Sequence, residues 1–224
     1  MLQSFRLQLQ GKVAARLQEA VAGRAEELLD RLLVDGVELW RQEQFRRWDD
    51  GEIACSVRLY DCCRRVLESD RRTWSLVHVE YDGAHPTTEI LSGDTDPTRS
   101  PRPDFGFRFG TARVVVEAKR LSTRDGLPKL YVKRGIYRFR DGRYLSTNSL
   151  PGIMVGYIRA EPPAAVVGAV NQVIIDDPDM GNEEVLRELV SVAPDISRSQ
   201  SVHPPGIRLI HLAVDVGGKA RVQA

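Results

Sequence analysis

The run Arg113-Val-Val-Val-Glu-Ala-Lys119 constrains this chain more tightly than any other stretch of it. Three successive valines suit a pleated, packed surface better than a helix. Apolar side chains on both faces of a strand need cover on both sides, so this strand belongs inside a sheet with layers above and below. Alternation then directs Glu117 and Lys119 to one face and Ala118 to the other. Two charges therefore end an otherwise apolar central strand.

The flanking sequence supplies the layers. Residues 12–47 read as helical, rich in Ala, Leu, Glu and Arg and free of proline. Leu29, Leu32, Leu33, Val37 and Trp40 form an apolar stripe at helical spacing, with Gly36 expected to bend or split the helix. Asp49-Asp50-Gly51-Glu52 is a helix-start signal. The helix it opens should run to about Ser69 and bury Ile53, Val57, Tyr60 and Val66. Ser75–Tyr81 reads as a strand, followed by a polar loop to Arg102. Phe105–Phe109 and Arg113–Ala118 read as a hairpin around Gly110. A helix over Leu130–Arg140 should turn Val132, Ile136 and Phe139 to one face. A strand over Ile153–Ile158, a helix opened by Pro162 and Pro163 and running to about Ile175, and a final strand over Ile207–Val214 complete the order. The expected class is an α/β sandwich with a mixed central sheet flanked by helices. Its expected division is an N-terminal helical extension, 1–48, and a main domain, 49–224. The extension should either pack on the core or mediate self-association.

At 224 residues there is enough chain for one buried core. No stretch approaches the roughly 20 apolar residues that span a bilayer, and the N-terminus lacks an apolar signal core. Cys55, Cys62 and Cys63 fall within nine residues on one expected helix, with no zinc-like spacing. They read as reduced thiols of a cytoplasmic protein. The net charge of +1 conceals an asymmetry. Residues 98–143 hold thirteen Lys and Arg against four Asp and Glu, so the remainder carries −8 by difference. A basic segment of this kind is either a solvated surface or the seat of a polyanion.

Its overlap with the second motif favours the polyanion. Pro103-Asp104 is followed after twelve residues by Glu117-Ala118-Lys119. The hairpin can bring Asp104 beside Glu117, so that two carboxylates and a lysine converge at one sheet edge. Phosphodiester hydrolysis needs such a group. Asp104, Glu117 and the Ala118 carbonyl offer hard oxygen ligands for Mg²⁺, which lowers the pKa of water and neutralises phosphate charge. Lys119 can orient the attacking water or stabilise the charge building on phosphate oxygens, two roles that remain open. As a bare pattern the match is weak, because Asp after Pro is common in turns and Glu-x-Lys is common anywhere. The three valines before it and the helix after it provide the context.

With these motifs the chain resembles the PD-(D/E)XK, or restriction-endonuclease-like, nuclease superfamily over roughly residues 50–215, in the order αβββαβ. It is also similar to a bacterial branch of that superfamily through Tyr131-Val-Lys-Arg-Gly-Ile-Tyr-Arg-Phe139 and Met154-Val-Gly-Tyr157. The resemblance implies a catalytic Glu52, at the place of an acidic residue on the first core helix. Glu80, which shares a strand face with His78, is its competitor. It further implies that the helix after the motif touches the phosphate backbone, through Tyr131, Lys133, Arg134 and Arg138. Tyr131, Gly135 and Arg138 fall at i, i+4 and i+7 on one flank of that helix, and the helical Gly135 calls for a close approach or a break. The implied activity is a DNA endonuclease in bacterial defence or DNA processing. Its metal would be Mg²⁺, with Mn²⁺ as substitute. No recognition motif is apparent, so specific cutting requires a homodimer or a separate ATPase or specificity subunit. RNA cleavage and exonuclease action are not separated by residue types. The alternative from another class is a catalytically silent nucleic-acid-binding or scaffolding subunit. The histidines are scattered, and His211 inside an apolar strand reads as a hydrogen-bonded core residue. Asp176-Asp177-Pro178-Asp179 lacks Ca²⁺-loop spacing.

Overall fold

A computed structural model describes residues 24–43, 51–75, 77–81, 102–109, 112–144, 150–159 and 161–217. Helix α1 is described over 24–42 and α2 spans Glu52–Ser69. Strands β1 (Val77–Tyr81), β2 (Phe105–Phe109) and β3 (Ala112–Arg120) follow. Next come a helix, α3, over Leu127–Tyr131, Val132–Ile136 and Tyr137–Arg140, then β4 (Gly152–Ile158) and α4 (Pro163–Ile175). A 3-10 turn at Asn182–Glu184 leads to β5 (Arg187–Ala193), β6 (Ile196–His203) and β7 (Ile207–Asp215). Among the described residues seven strands form one sheet in the order β1-β2-β3-β4-β7-β6-β5. β3–β4 and β4–β7 pair in parallel and the remaining pairs are antiparallel. A parallel pair needs a crossover, which α3 supplies between β3 and β4. No helix among the described residues is long and apolar enough to cross a membrane.

The valine strand is central, as its composition demands. Val114, Val116 and Ala118 join one buried cluster with α1 and α2, and Val115 joins another with α3 and α4. The stripe expected on residues 12–47 is present where described: Leu29, Leu32, Leu33, Val37 and Trp40 are all at most 1% exposed. Trp40 meets Tyr157 of β4 edge-on, with ring centroids 5.9 Å apart. The N-terminal helix therefore covers the sheet within the same core as α2. Residues 12–23 and 44–47, and the loop expected over 82–101, lie outside the described residues.

Several expectations need correction. Gly36 does not break α1, because a Cβ there would stand 2.7 Å from Cys63 Sγ, so the glycine serves close packing against α2. Ile53 is 70% exposed and Val57 40% exposed, while Tyr60 and Val66 are only partly buried. Leu59 and the small thiols Cys55, Cys62 and Cys63 form the buried face instead. None of the three cysteines forms a disulfide among the described residues. The antiparallel pair β5–β6 was not expected from sequence at all. β6 alternates buried Ser197, Ser199, Ser201 and His203 with other residues, so its inner face is polar.

Ser201 and His203 of that polar face are satisfied by a chain of hydrogen bonds. Tyr131 Oη lies 3.0 Å from His211 Nδ1, and Ser201 Oγ lies 2.7 Å from both His211 Nε2 and His203 Nε2. His203 Nδ1 meets Glu184 Oε2 at 2.7 Å. Burial holds the pKa of both imidazoles below the usual histidine value. His211 is thus the hydrogen-bonded core residue expected.

Candidate active site

Register positions the charges. Phe105 pairs with Val116, so the preceding Asp104 stands level with Glu117 across the β2–β3 hairpin. The Asp104 carboxylate accepts the Ala118 N–H at 2.8 Å through Oδ2. Glu117 and Lys119 share the face covered by α3, and Lys119 Nζ lies 2.6 Å from Glu117 Oε1. Glu52, at the first turn of α2, accepts from Lys119 Nζ at 3.0 Å and from the Arg120 N–H at 3.0 Å. Asp104, Glu117, Lys119 and Glu52 therefore gather at one end of β3. Glu80, by contrast, lies on β1 and pairs with Arg108 at 2.9 Å and with Arg113 at 3.7 Å. Of the two competitors, Glu52 is the one at the cluster.

A fifth member comes from α3. Arg138 Nη1 lies 2.6 Å from Glu117 Oε1 and 2.9 Å from Tyr144 Oη, whose hydroxyl donates to the Arg102 carbonyl at 2.8 Å. Sequence placed Arg138 on a nucleic-acid surface; here it is half-buried over the carboxylate. Tyr144 gave no sequence signal. A π-helical turn, Val132–Ile136, places α3 this close. Gly135 belongs to that turn, and a Cβ on it would collide with Met154 Cε of β4. Close approach, not a helix break, explains this glycine.

The remaining residues expected at the phosphate backbone part company. Tyr131 is 1% exposed with its hydroxyl on His211, so it presents no surface to a polymer. Lys133 is tied to Asp177 at 2.6 Å and to the Tyr137 hydroxyl at 3.1 Å. Arg134 is exposed on α3.

Crowded charge leaves its mark on the titration. Burial, reinforced by the charge of Glu117, raises the Asp104 carboxyl from 3.8 to about 6, against the opposing Ala118 N–H and Lys119. Burial alone would lower Lys119, yet Glu117, Glu52 and Asp104 outweigh it and hold the ammonium above its usual value. Arg138 is likewise held charged by Glu117 and Tyr144 against its burial.

The donor set can be tested against a divalent cation. Among the described residues no three His, Cys, Asp or Glu side chains form a ready cage. Mg²⁺ commonly takes only one or two carboxylates and keeps its waters. Glu117 Oε2 is buried without a hydrogen-bond partner, an orphan that normally marks a missing ligand or water. Asp104 spends one oxygen on the Ala118 N–H, and among the described residues no hydrogen bond engages the other. Asp104 and Glu117 therefore fit the cation. The Ala118 carbonyl, the third expected ligand, accepts Lys119 Nζ at 2.8 Å.

Comparison of the chain with protein-family models, with curated proteins and with solved structures returns no match.

Proposed function

We propose that this chain is a divalent-metal-dependent nuclease, hydrolysing phosphodiester bonds of DNA on a restriction-endonuclease-like αβββαβ core. The observation that carries the reading is the convergence of Asp104, Glu117 and Lys119 at the end of a central strand, with Glu117 Oε2 buried and unpartnered. The element order from α2 to β4, with β1, β2 and β3 antiparallel and β4 parallel to β3, supports the core. A protein of this kind works in the cytoplasm, in defence or DNA processing, alone as a homodimer or beside an ATPase or specificity subunit.

Each side chain has a role its geometry permits. Asp104, titrating at about 6, is ionised at neutral pH and with Glu117 offers the oxygen ligands. When bound there, Mg²⁺ or Mn²⁺ supplies charge neutralisation at the phosphate and a more acidic water. Lys119 is held charged between Glu117 and Glu52, and can hydrogen-bond an attacking water or a phosphate oxygen. Glu52 fixes both that ammonium and the end of β3 through the Arg120 N–H. Arg138 adds a second cation beside the same carboxylate.

One observation favours a non-catalytic nucleic-acid-binding or scaffolding role. Glu117 Oε1 is already shared by Lys119 and Arg138, as in an ion cluster that serves structure alone. Supercoiled plasmid, single-stranded DNA and RNA incubated with Mg²⁺, with and without EDTA, separate the two. EDTA-sensitive cleavage lost in Asp104→Asn and Lys119→Met supports the nuclease. Binding without cleavage of any substrate sinks it.

A further inference from the structure

Beyond the carboxylate cluster, the C-terminal ends of the parallel strands β3 and β4 enclose a cleft of about 630 Å³, lined by Arg120, Ser122, Arg124, Arg159, Leu127 and Leu130 together with Asp125 and Glu161. Ligands in open α/β sheets commonly bind outside the carboxyl ends of parallel strands. Arg120 is the last residue of β3, and Arg159 follows the last residue of β4. The Leu121 N–H to Tyr157 carbonyl bond, at 2.8 Å, ties the two walls together.

Charge sets this cleft apart from most of the basic segment, in which Lys129 and Arg134 are the other exposed cations among the described residues that form no ion pair. Arg108, Arg113, Lys133, Arg138, Arg140 and Arg143 are each neutralised by a carboxylate. Among the described residues Arg120, Arg124 and Arg159 form no such ion pair, although Arg124 lies near enough to Glu161 to lower its carboxyl pKa, and all three are exposed. Of the two lining carboxylates, Glu161 is committed to the wall: its Oε2 accepts the Thr123 N–H at 2.9 Å and the Thr123 hydroxyl at 2.7 Å. The Ser122 hydroxyl accepts the Arg124 N–H at 3.1 Å and hydrogen-bonds the Glu161 carboxylate, so it too belongs to the wall. Three guanidinium forks match the oxygens of a phosphate, which arginine binds bidentately. Leu127 and Leu130 offer apolar surface for the sugar and base, and the volume lies within the range of small-ligand sites.

The cleft also adjoins the carboxylate cluster. Glu52 binds both Lys119 Nζ and the Arg120 N–H, so consecutive residues of β3 serve the two places. We propose that this cleft is a phosphate-binding subsite that seats a second phosphate of a nucleic-acid strand, a terminal monoester or an internal diester. The assignment of the ligand to a nucleic-acid strand rests on the nuclease reading.

The test is fluorescence anisotropy of labelled oligonucleotides, with 5′-phosphate, 3′-phosphate or hydroxyl ends, on the full chain in EDTA. Arg124→Gln/Arg159→Gln is compared with wild type and with Arg71→Gln/Arg72→Gln, a pair of equal charge on the exposed turn after α2. Losing charged hydrogen bonds should weaken binding roughly tenfold or more in the cleft variant. The log–log salt slope should become shallower by up to about 2 units, while the control stays near wild type. A loss confined to one phosphorylated end identifies a terminal monoester, and an equal loss for all ends identifies an internal diester. Equal behaviour of the cleft and control variants overturns the proposal, as does a wild-type chain that binds none of these oligonucleotides. Phosphate-dependent binding lost in the cleft variant, in a protein that cleaves nothing with Mg²⁺, upholds the subsite and rejects the nuclease.

Discussion

Replacing Asp104 by asparagine should stabilise the metal-free protein at neutral pH and remove its response to Mg²⁺. The magnitude follows from the site. Burial and the charge of Glu117 raise the Asp104 carboxyl from 3.8 to about 6, and each unit of pKa corresponds to about 1.4 kcal/mol between protonation states. Ionising Asp104 therefore costs the folded protein about 3 kcal/mol more than the unfolded chain, and solvent screening at a partly exposed carboxyl trims this to about 2 kcal/mol. Because the folded pKa lies above the unfolded one, this cost is absent below about pH 4. It grows between about pH 4 and 6 and is complete above about 6. Asparagine keeps the shape, and its amide oxygen can take the Ala118 N–H that Asp104 now accepts at 2.8 Å. The variant should melt roughly 4–8 °C above wild type at pH 7.5 and coincide with it at pH 4. Calorimetry in EDTA across that range measures the difference, in which the other titrating groups cancel. Adding Mg²⁺ should then raise the melting temperature of wild type alone, by mass action on the folded state. An equal gap at pH 4 and 7.5 would refute the electrostatic account, and an equal Mg²⁺ response in both proteins would remove Asp104 from the cation site.

Glu117→Gln should behave oppositely, losing about 3 kcal/mol or more in urea unfolding, because it strips the carboxylate from buried Lys119 and half-buried Arg138. Gly36→Ala should cost about 1–3 kcal/mol in the same assay, since the new methyl meets Cys63 Sγ between two packed helices. His203 and His211 are held neutral by burial, so the unfolded chain takes up protons first as pH falls through about 6.5 and the histidines' contribution to stability declines below it; His211→Gln should remove its share of that decline. A chain beginning at Asp49 lacks Leu29, Leu32, Leu33, Val37 and Trp40 and exposes the sheet they cover, so it should be insoluble in sedimentation assays where the full chain is not.

The elements that sequence made legible are those with an apolar period. The valines of β3, the fully buried β4 and the stripe of α1 each state which face is inward, and the twelve-residue gap from Asp104 to Glu117 matches an antiparallel hairpin. β5 and β6 carry no such period, because the inner face of β6 is built of buried Ser197, Ser199, Ser201 and His203, with Ser201 hydrogen-bonded to His211. On α2 the exposed Ile53 and Val57 imitate a core face that cysteines occupy. The role of Arg138 was hidden for a different reason. A π turn adds a residue to the helical count and rotates everything after it by about 100°. Spacing from Tyr131 at 3.6 residues per turn therefore misplaces Arg138, and only the parallel pairing of β3 with β4 brings α3 over Glu117.

The hydrogen-bond chain beneath α3 admits one consistent direction. With both imidazoles neutral, each gives one N–H and accepts at its other nitrogen. Glu184 can only accept, so His203 donates to it through Nδ1 and receives the Ser201 hydroxyl at Nε2. Ser201, having given its proton, accepts from His211 Nε2, which leaves Nδ1 to receive the Tyr131 hydroxyl. Every donor then points towards Glu184, whose charge is balanced by Arg140 at 3.2 Å on the last turn of α3. The chain thus starts on α3 at Tyr131, crosses β7 and β6, and returns to α3 at Arg140. Arg138 lies between these two anchors. A helix fixed at both ends over a sheet has little freedom to slide, and its π turn is already pressed onto Met154 at Gly135. The position of the Arg138 guanidinium over Glu117 is therefore set as much by buried histidines on the far strands as by the ion pair it makes.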